Sequence, residues 1–167
     1  EAHETFFLNL SNAVNVTLAR SLATATVTND DFTYYVRHNG SDSNGGTGWS
    51  DAWATLQKAV DSVPYYQAFT INVEASTGSQ AYAVCTRVHV YDSAYTYRLL
   101  NWSLQGGWQN VDGTPLQGGM SVIRDATTNH AGITTGASSH SQKYTLTVNR
   151  CIVTNVTQGI VYTTGGG

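Results

Sequence analysis

The run Gly40-Ser41-Asp42-Ser43-Asn44-Gly45-Gly46 sets one carboxylate among small residues. Two chemistries fit it. Asp42 and nearby carbonyl oxygens can hold a hard cation, which takes oxygen ligands. The same residue types also build turns, because they tolerate left-handed backbone or bond their own main chain. The run is not a phosphate cradle, since no Lys-Ser/Thr follows at P-loop spacing. A second charged set is Asp92, Asp112, Arg124, Asp125, Lys143 and Arg150. Cleavage of a polysaccharide needs clustered carboxylates, or Ca²⁺ beside a basic proton acceptor, in a groove. Arg124 and Asp125 are adjacent, so on a strand they face opposite ways. That arrangement speaks against one shared catalytic site and for surface charges. The histidines His3, His38, His89, His130 and His140 have no metal-ligand spacing. Cys85 and Cys151 are too few for a disulfide framework. An oxidised pair and two small buried side chains both fit them. Asn-x-Ser/Thr triplets start at Asn9, Asn15, Asn39, Asn101 and Asn155, as chance provides in a chain rich in Ser and Thr.

The elements that must position these residues are strands. Only 11% of the 167 residues are charged, against roughly 25% in ordinary soluble domains. Polarity comes instead from Thr, Ser, Asn and Gly, which with Val and Tyr favour strands and corners. Hydrophobic residues make up 41%, enough for a core. The net charge is −3 with no Lys/Arg cluster, so no nucleic-acid footprint is present. No apolar stretch reaches bilayer length, so no membrane insertion is expected in this segment.

Residues 1–31 alternate with period two. Phe6, Leu8 and Leu10 share one face, and Ala23, Ala25 and Val27 share another. Val16 and Leu18 are the expected inward anchors of the connection. Phe32 to Val36 reads as a strand. Leu56, Ala59, Val60 and Val63 then form the apolar stripe of a short helix, with Thr55 as N-cap and Pro64 at its end. From Phe69 onward the apolar runs are short: 69–75, 83–91, 97–107, 120–125, 132–136, 144–156 and 159–166. Gly132-Ile133-Thr134-Thr135-Gly136 returns in altered form from Gly159, an offset of 27 residues. One turn of a β-solenoid takes about that many. The chain opens and closes on strand-like segments, so both ends are expected to fall inside domains.

The first 31 residues carry Glu4-Thr5-Phe6, Leu10-Ser11-Asn12, Thr17-Leu18 and Asn29-Asp30-Asp31 in order. In this they resemble the C-terminal end of a Calx-β domain. Residues 34–63 carry Tyr34-Tyr35-Val36, Gly40-Ser41-Asp42-Ser43-Asn44, Gly46, Trp49 and Thr55-Leu56-Gln57 with Ala59. That series resembles the opening of the right-handed parallel β-helix modules of large bacterial surface proteins. Leu104-Gln105-Gly106-Gly107-Trp108 and residues 146–167 look like later coils. Two departures are the stretch 71–82, where such modules often end a strand in Gly-Thr-Tyr, and the long run 85–103.

The resemblance implies an all-β chain. Residues 1–31 would be the last two strands of a β-sandwich, and residues 32–167 a right-handed parallel β-helix with a short N-terminal cap helix. It also implies Ca²⁺ as the cofactor, on Glu1, Glu4, Asp30 and Asp31, with further ligands upstream. The expected role is structural or adhesive, in a secreted or cell-surface bacterial protein, with the solenoid face turned to a glycan or cell-surface partner and no catalysis. The alternative is the N-terminal part of a carbohydrate-active enzyme, a polysaccharide lyase or glycoside hydrolase.

Overall fold

The computed structural model describes residues 4–27, 32–63, 68–89, 99–137 and 143–164. The chain divides into two compact units, Glu1–Phe32 and Thr33–Gly167. It is predominantly β, with one α-helix among the described residues.

In the first unit, β1 (Glu4–Asn9) and β2 (Leu22–Val27) form an antiparallel hairpin. Phe6 lies opposite Ala25 and Leu8 opposite Ala23, so the period-two faces are paired as the alternation requires. That face is not covered: Phe6 and Leu8 are each 56% exposed. Val16 and Leu18, expected as inward anchors, are also exposed. A two-stranded ribbon has no second layer against which to turn them.

The second unit takes β3 (Phe32–Val36) from Thr33 onward, then a 3₁₀ turn at Trp49–Asp51 and α1 (Leu56–Ser62). Strands β4 (Phe69–Glu74), β5 (Cys85–His89), β6 (Leu99–Gln109), β7 (Leu116–Gln117), β8 (Ser121–Arg124) and β9 (Ala131–Ala137) follow. The last are β10 (Lys143–Asn149), β11 (Cys151–Thr154) and β12 (Gln158–Thr164). Three sheets repeat one order. β4, β6 and β10 pair in parallel, with β3 next to β4. Tyr82 bridges in parallel to β8, which pairs in parallel with β11. β5, β9 and β12 pair in parallel. Among the described residues no sheet closes on itself.

Register stacks like on like. Ile71, Leu104 and Val148 share one column, and Phe69, Trp102 and Leu146 the next. Phe69 and Trp102 stack at 5.4 Å. Ile71, Leu104, Ile123 and Ile133 are fully buried, so the core runs between the sheets. The Trp102 indole N–H donates to Thr135 Oγ1 across that core at 3.1 Å. Ile133 pairs with Ile160, so the offset of 27 seen in the sequence is the pairing register of β9 and β12.

Two departures from the sequence pattern have local causes. The continuous run 144–156 breaks into β10 and β11 because Arg150 adopts a left-handed φ of 51° and turns the chain into another sheet. β6 also bulges: Asn72 pairs with Gln105 but Glu74 with Trp108. Gly107 at φ 79° takes up the extra residue, and a Cβ there would stand 2.2 Å from the Gly119 carbonyl oxygen.

The helix forms where its stripe and cap require. Thr55 accepts the Lys58 N–H through its hydroxyl at 3.1 Å, and Leu56, Ala59 and Val60 face the core. Gln57 reaches the outer edge of β5. Its amide donates to the Thr86 carbonyl at 3.0 Å and accepts the Thr86 N–H at 2.9 Å. One side chain thus takes the place of a neighbouring strand, which satisfies an otherwise open sheet edge.

Candidate functional site

Two surfaces of the second unit bring polar and aromatic groups together. The first is the outer face of the sheet of β4, β6 and β10. The residues between the core columns form rows: Thr70, Ser103 and Thr147; Gln105 and Asn149, in register with a buried Asn72; Asn101 and Thr145. Thr70 and Ser103 share a hydrogen bond of 2.8 Å, and the Asn149 amide donates to Gln105 Oε1 at 3.0 Å. Parallel strands lie about 4.8 Å apart, and alternate residues about 6.6 Å apart along each strand. The rows are therefore a regular lattice of uncharged donors and acceptors. Asn101, Thr145, Thr147 and Asn149 are exposed.

The second surface gathers where β3 meets the β6–β7 hairpin. Glu74 and Trp108 pair beyond the bulge that follows Asn72 and Gln105. Trp108 lies 6.0 Å from Trp49, and Trp49 meets Tyr35 edge-on at 4.9 Å. Arg37 donates from Nη1 and Nη2 to the two carboxylate oxygens of Asp112, at 2.7 and 2.9 Å. It also donates to the Trp49 carbonyl at 3.3 Å. The Arg37 side chain is 13% exposed and that of Asp112 79%. The guanidinium holds the Asp112 carboxyl below the usual carboxylate range. Two buried nitrogens here, Arg37 Nε and Trp108 Nε1, have no hydrogen-bond partner.

His38 lies beside this cluster. Its ring stacks on Tyr82 at 4.1 Å, its Nε2 is 3.4 Å from Ser76 Oγ, and its backbone N–H donates to Glu74 Oε2 at 2.8 Å. Burial lowers the His38 pKa against the opposing pull of Glu74, so the ring is neutral at pH 7. Burial likewise raises the Tyr82 phenol far above its usual range, and its hydroxyl donates to the Glu74 carbonyl.

The residues singled out in the sequence have different fates. Asp42 is a cap: its carboxylate accepts the N–H groups of Ala54 and Thr55 at 3.0 Å each and the Thr55 hydroxyl at 2.8 Å. These are turn and cap bonds, the second of the two chemistries. Asp112 is the partner of Arg37. Arg124 is exposed, whereas Asp125 is 4% exposed and is no surface charge. The Asp125 carboxylate accepts the N–H groups of Thr127, Asn129 and His130 at 2.8–3.0 Å, together with the Thr127 hydroxyl. Those donors, the Thr127 N–H first, hold it well below the usual carboxylate range. Cys85 and Cys151 are free thiols. Burial pushes them up to about 12 and about 11, so both stay protonated at neutral pH.

Glu1, Asp30, Asp31, Asp92, His3 and His140 lie outside the described residues, as do the side chains of Glu4, His89 and Lys143. Among the described residues, no group of three or more His, Cys, Asp and Glu gathers to hold a metal. Sequence reasoning missed Arg37, Glu74, Trp49 and Trp108. Arg37 and Asp112 stand 75 positions apart, and no spacing rule covers such a pair. Comparison with known protein families, curated proteins and solved structures finds no match to this chain.

Proposed function

We propose that the second unit is a right-handed parallel β-helix capped at its start by α1, and that it serves as a non-catalytic adhesive segment of a large extracellular bacterial protein. In this reading the outer face of β4, β6 and β10 docks on a glycan at a cell surface or matrix. One observation carries the proposal: the in-register rows Thr70–Ser103–Thr147, Gln105–Asn149 and Asn101–Thr145. Hydroxyls and amides at fixed repeat match a ligand that itself repeats hydroxyls, and rigid strands keep them ordered before contact. The exposed row residues carry no formal charge, which favours a neutral polymer over an acidic one. A Calx-β-like first unit with Ca²⁺ on Glu1, Glu4, Asp30 and Asp31 belongs to the same reading. Addition of Ca²⁺ should then raise its melting temperature.

The test is sedimentation of the chain with insoluble polysaccharides, beside Thr145→Lys and Thr147→Lys variants. These exposed changes leave the core columns intact. Co-sedimentation that both variants abolish supports the adhesive face. A chain that sediments with no polysaccharide overturns it. Release of reducing sugar or unsaturated product from pectin by the protein would establish the enzymatic alternative instead.

A further inference from the structure

The aromatic cluster is not explained by packing alone. Among the described residues, Arg37 Nε and Trp108 Nε1 are the two buried side-chain N or O atoms without a hydrogen-bond partner. A buried unpaired donor costs stability, and native folds keep few of them. Both fall in one place, where Tyr35, Trp49 and Trp108 meet the Arg37–Asp112 pair. We infer that these five residues form a stacking subsite for one neutral hexopyranose ring of a glycan lying along the polar rows. The inference rests on the glycan-binding reading and adds a separate set of residues to it.

The chemistry of the cluster fits such a ring. A pyranose offers an apolar face of C–H groups and a rim of hydroxyls. The half-buried rings of Tyr35, Trp49 and Trp108 supply the apolar surface. The exposed Asp112 carboxylate and the Arg37 guanidinium present acceptors and donors already held in plane by each other. The subsite follows Gln105 along β6, on the far side of the bulge that separates it from the rows.

Charge sets the class of sugar. Arg37 and Asp112 pair at 2.7 and 2.9 Å and cancel, and the Glu74 carboxylate beside them accepts the His38 backbone N–H at 2.8 Å. The local balance is therefore negative by one carboxylate. A uronic acid or sulfated ring would meet that charge with its own, which disfavours it.

Intrinsic tryptophan fluorescence of the full chain, titrated with cellohexaose or mannohexaose and separately with hexagalacturonate, tests this. The expected result is a saturable change with a neutral hexasaccharide and none with the uronate. Trp49→Ala should weaken that binding about tenfold, and Asp112→Ala should weaken it as well. Trp49→Phe, which keeps an aromatic face and the fold, should stay within about threefold of the parent chain. If Thr147→Lys removes binding while Trp49→Ala, folded by circular dichroism, leaves it intact, the subsite is wrong and the polar rows stand. If Trp49→Ala does not fold, loss of binding in Asp112→Ala decides for the subsite, and retention decides against it. Binding of the uronate as tight as that of the neutral sugar overturns the assigned sugar class. No binding of any glycan by the parent chain overturns both readings.

Discussion

The first and last passes of the second unit differ in how their interiors end. In the first pass, β3 lies along β4 and Gln57 bonds the edge of β5. The inward residues Ile71, Val73 and Cys85 are 0–2% exposed. In the last pass, β10, β11 and β12 are the outermost strands of their sheets among the described residues. Ile160 stands in the same column as Cys85 and Ile133, yet is 54% exposed. The residue type is the same at Ile133 and Ile160, and so is the register. What differs is whether another strand lies on the far side. Burial of these side chains therefore belongs to the neighbouring strand and not to the residue.

The sharpest test of that contrast is a pair of identical substitutions. Ile133→Ala should cost about 2–5 kcal/mol, because it removes buried methylenes and leaves a cavity. Ile160→Ala should cost about 0.5 kcal/mol or less, as at an ordinary surface site. Urea unfolding of both variants reads the difference, and equal losses would erase the distinction between sealed and open passes. Next in size is Gln57→Leu. It leaves the Thr86 N–H and carbonyl without the bonds that cap β5, at about 1–3 kcal/mol. Hydrogen exchange at Thr86 should accelerate selectively, and light scattering should report edge-to-edge association. Unchanged exchange at Thr86 would mean that the helix covers the edge without bonding it.

The corner after β8 gives a pH test. Asp125 holds its turn together through its carboxylate, while Asn155 at the matching corner of the last pass donates its amide to the Asp125 carbonyl at 2.7 Å. The folded pKa of Asp125 is depressed below the unfolded value, which is about 3.9. Its stabilisation is therefore complete above about pH 4 to 5 and is lost as pH falls toward the folded pKa. The melting temperature of Asp125→Ala should lie below that of the parent chain at pH 7, and the gap should narrow between about pH 4 and pH 2. A gap that stays constant with pH would remove the carboxylate from the explanation. The smallest effect is a gain. Arg150 pays a left-handed backbone penalty at φ 51°, so Arg150→Gly should stabilise by up to about 1 kcal/mol in thermal unfolding.

Much of the local structure was legible. The stripe Leu56, Ala59, Val60 and the Thr55 cap were read correctly, since a helix signals itself within one or two turns. Strand β3 and the turn role of Asp42 were also open to sequence reading. The offset of 27 appears because β9 and β12 repeat with few residues added between them. The other columns hide their repeat. Ile71 and Leu104 stand 33 residues apart, and Leu104 and Val148 stand 44 apart. The β6–β7 hairpin lengthens one pass and not the next, so no constant period survives. The surface reading of Asp125 failed for a related reason. Its N–H donors follow it in a loop whose left-handed Thr128 no spacing announces.

Residue types and short spacings thus determined which segments are strands, where α1 starts and which loops turn on Asp and Asn. Those choices rest on torsion preferences, side-chain period and hydrogen bonds within a few residues. Only the tertiary structure decided that Gln57 caps β5, that Arg37 meets Asp112 beside Trp108, and that Thr and Asn residues align in rows. The lengths of the connections set the register between passes, and register determines which distant side chains become neighbours.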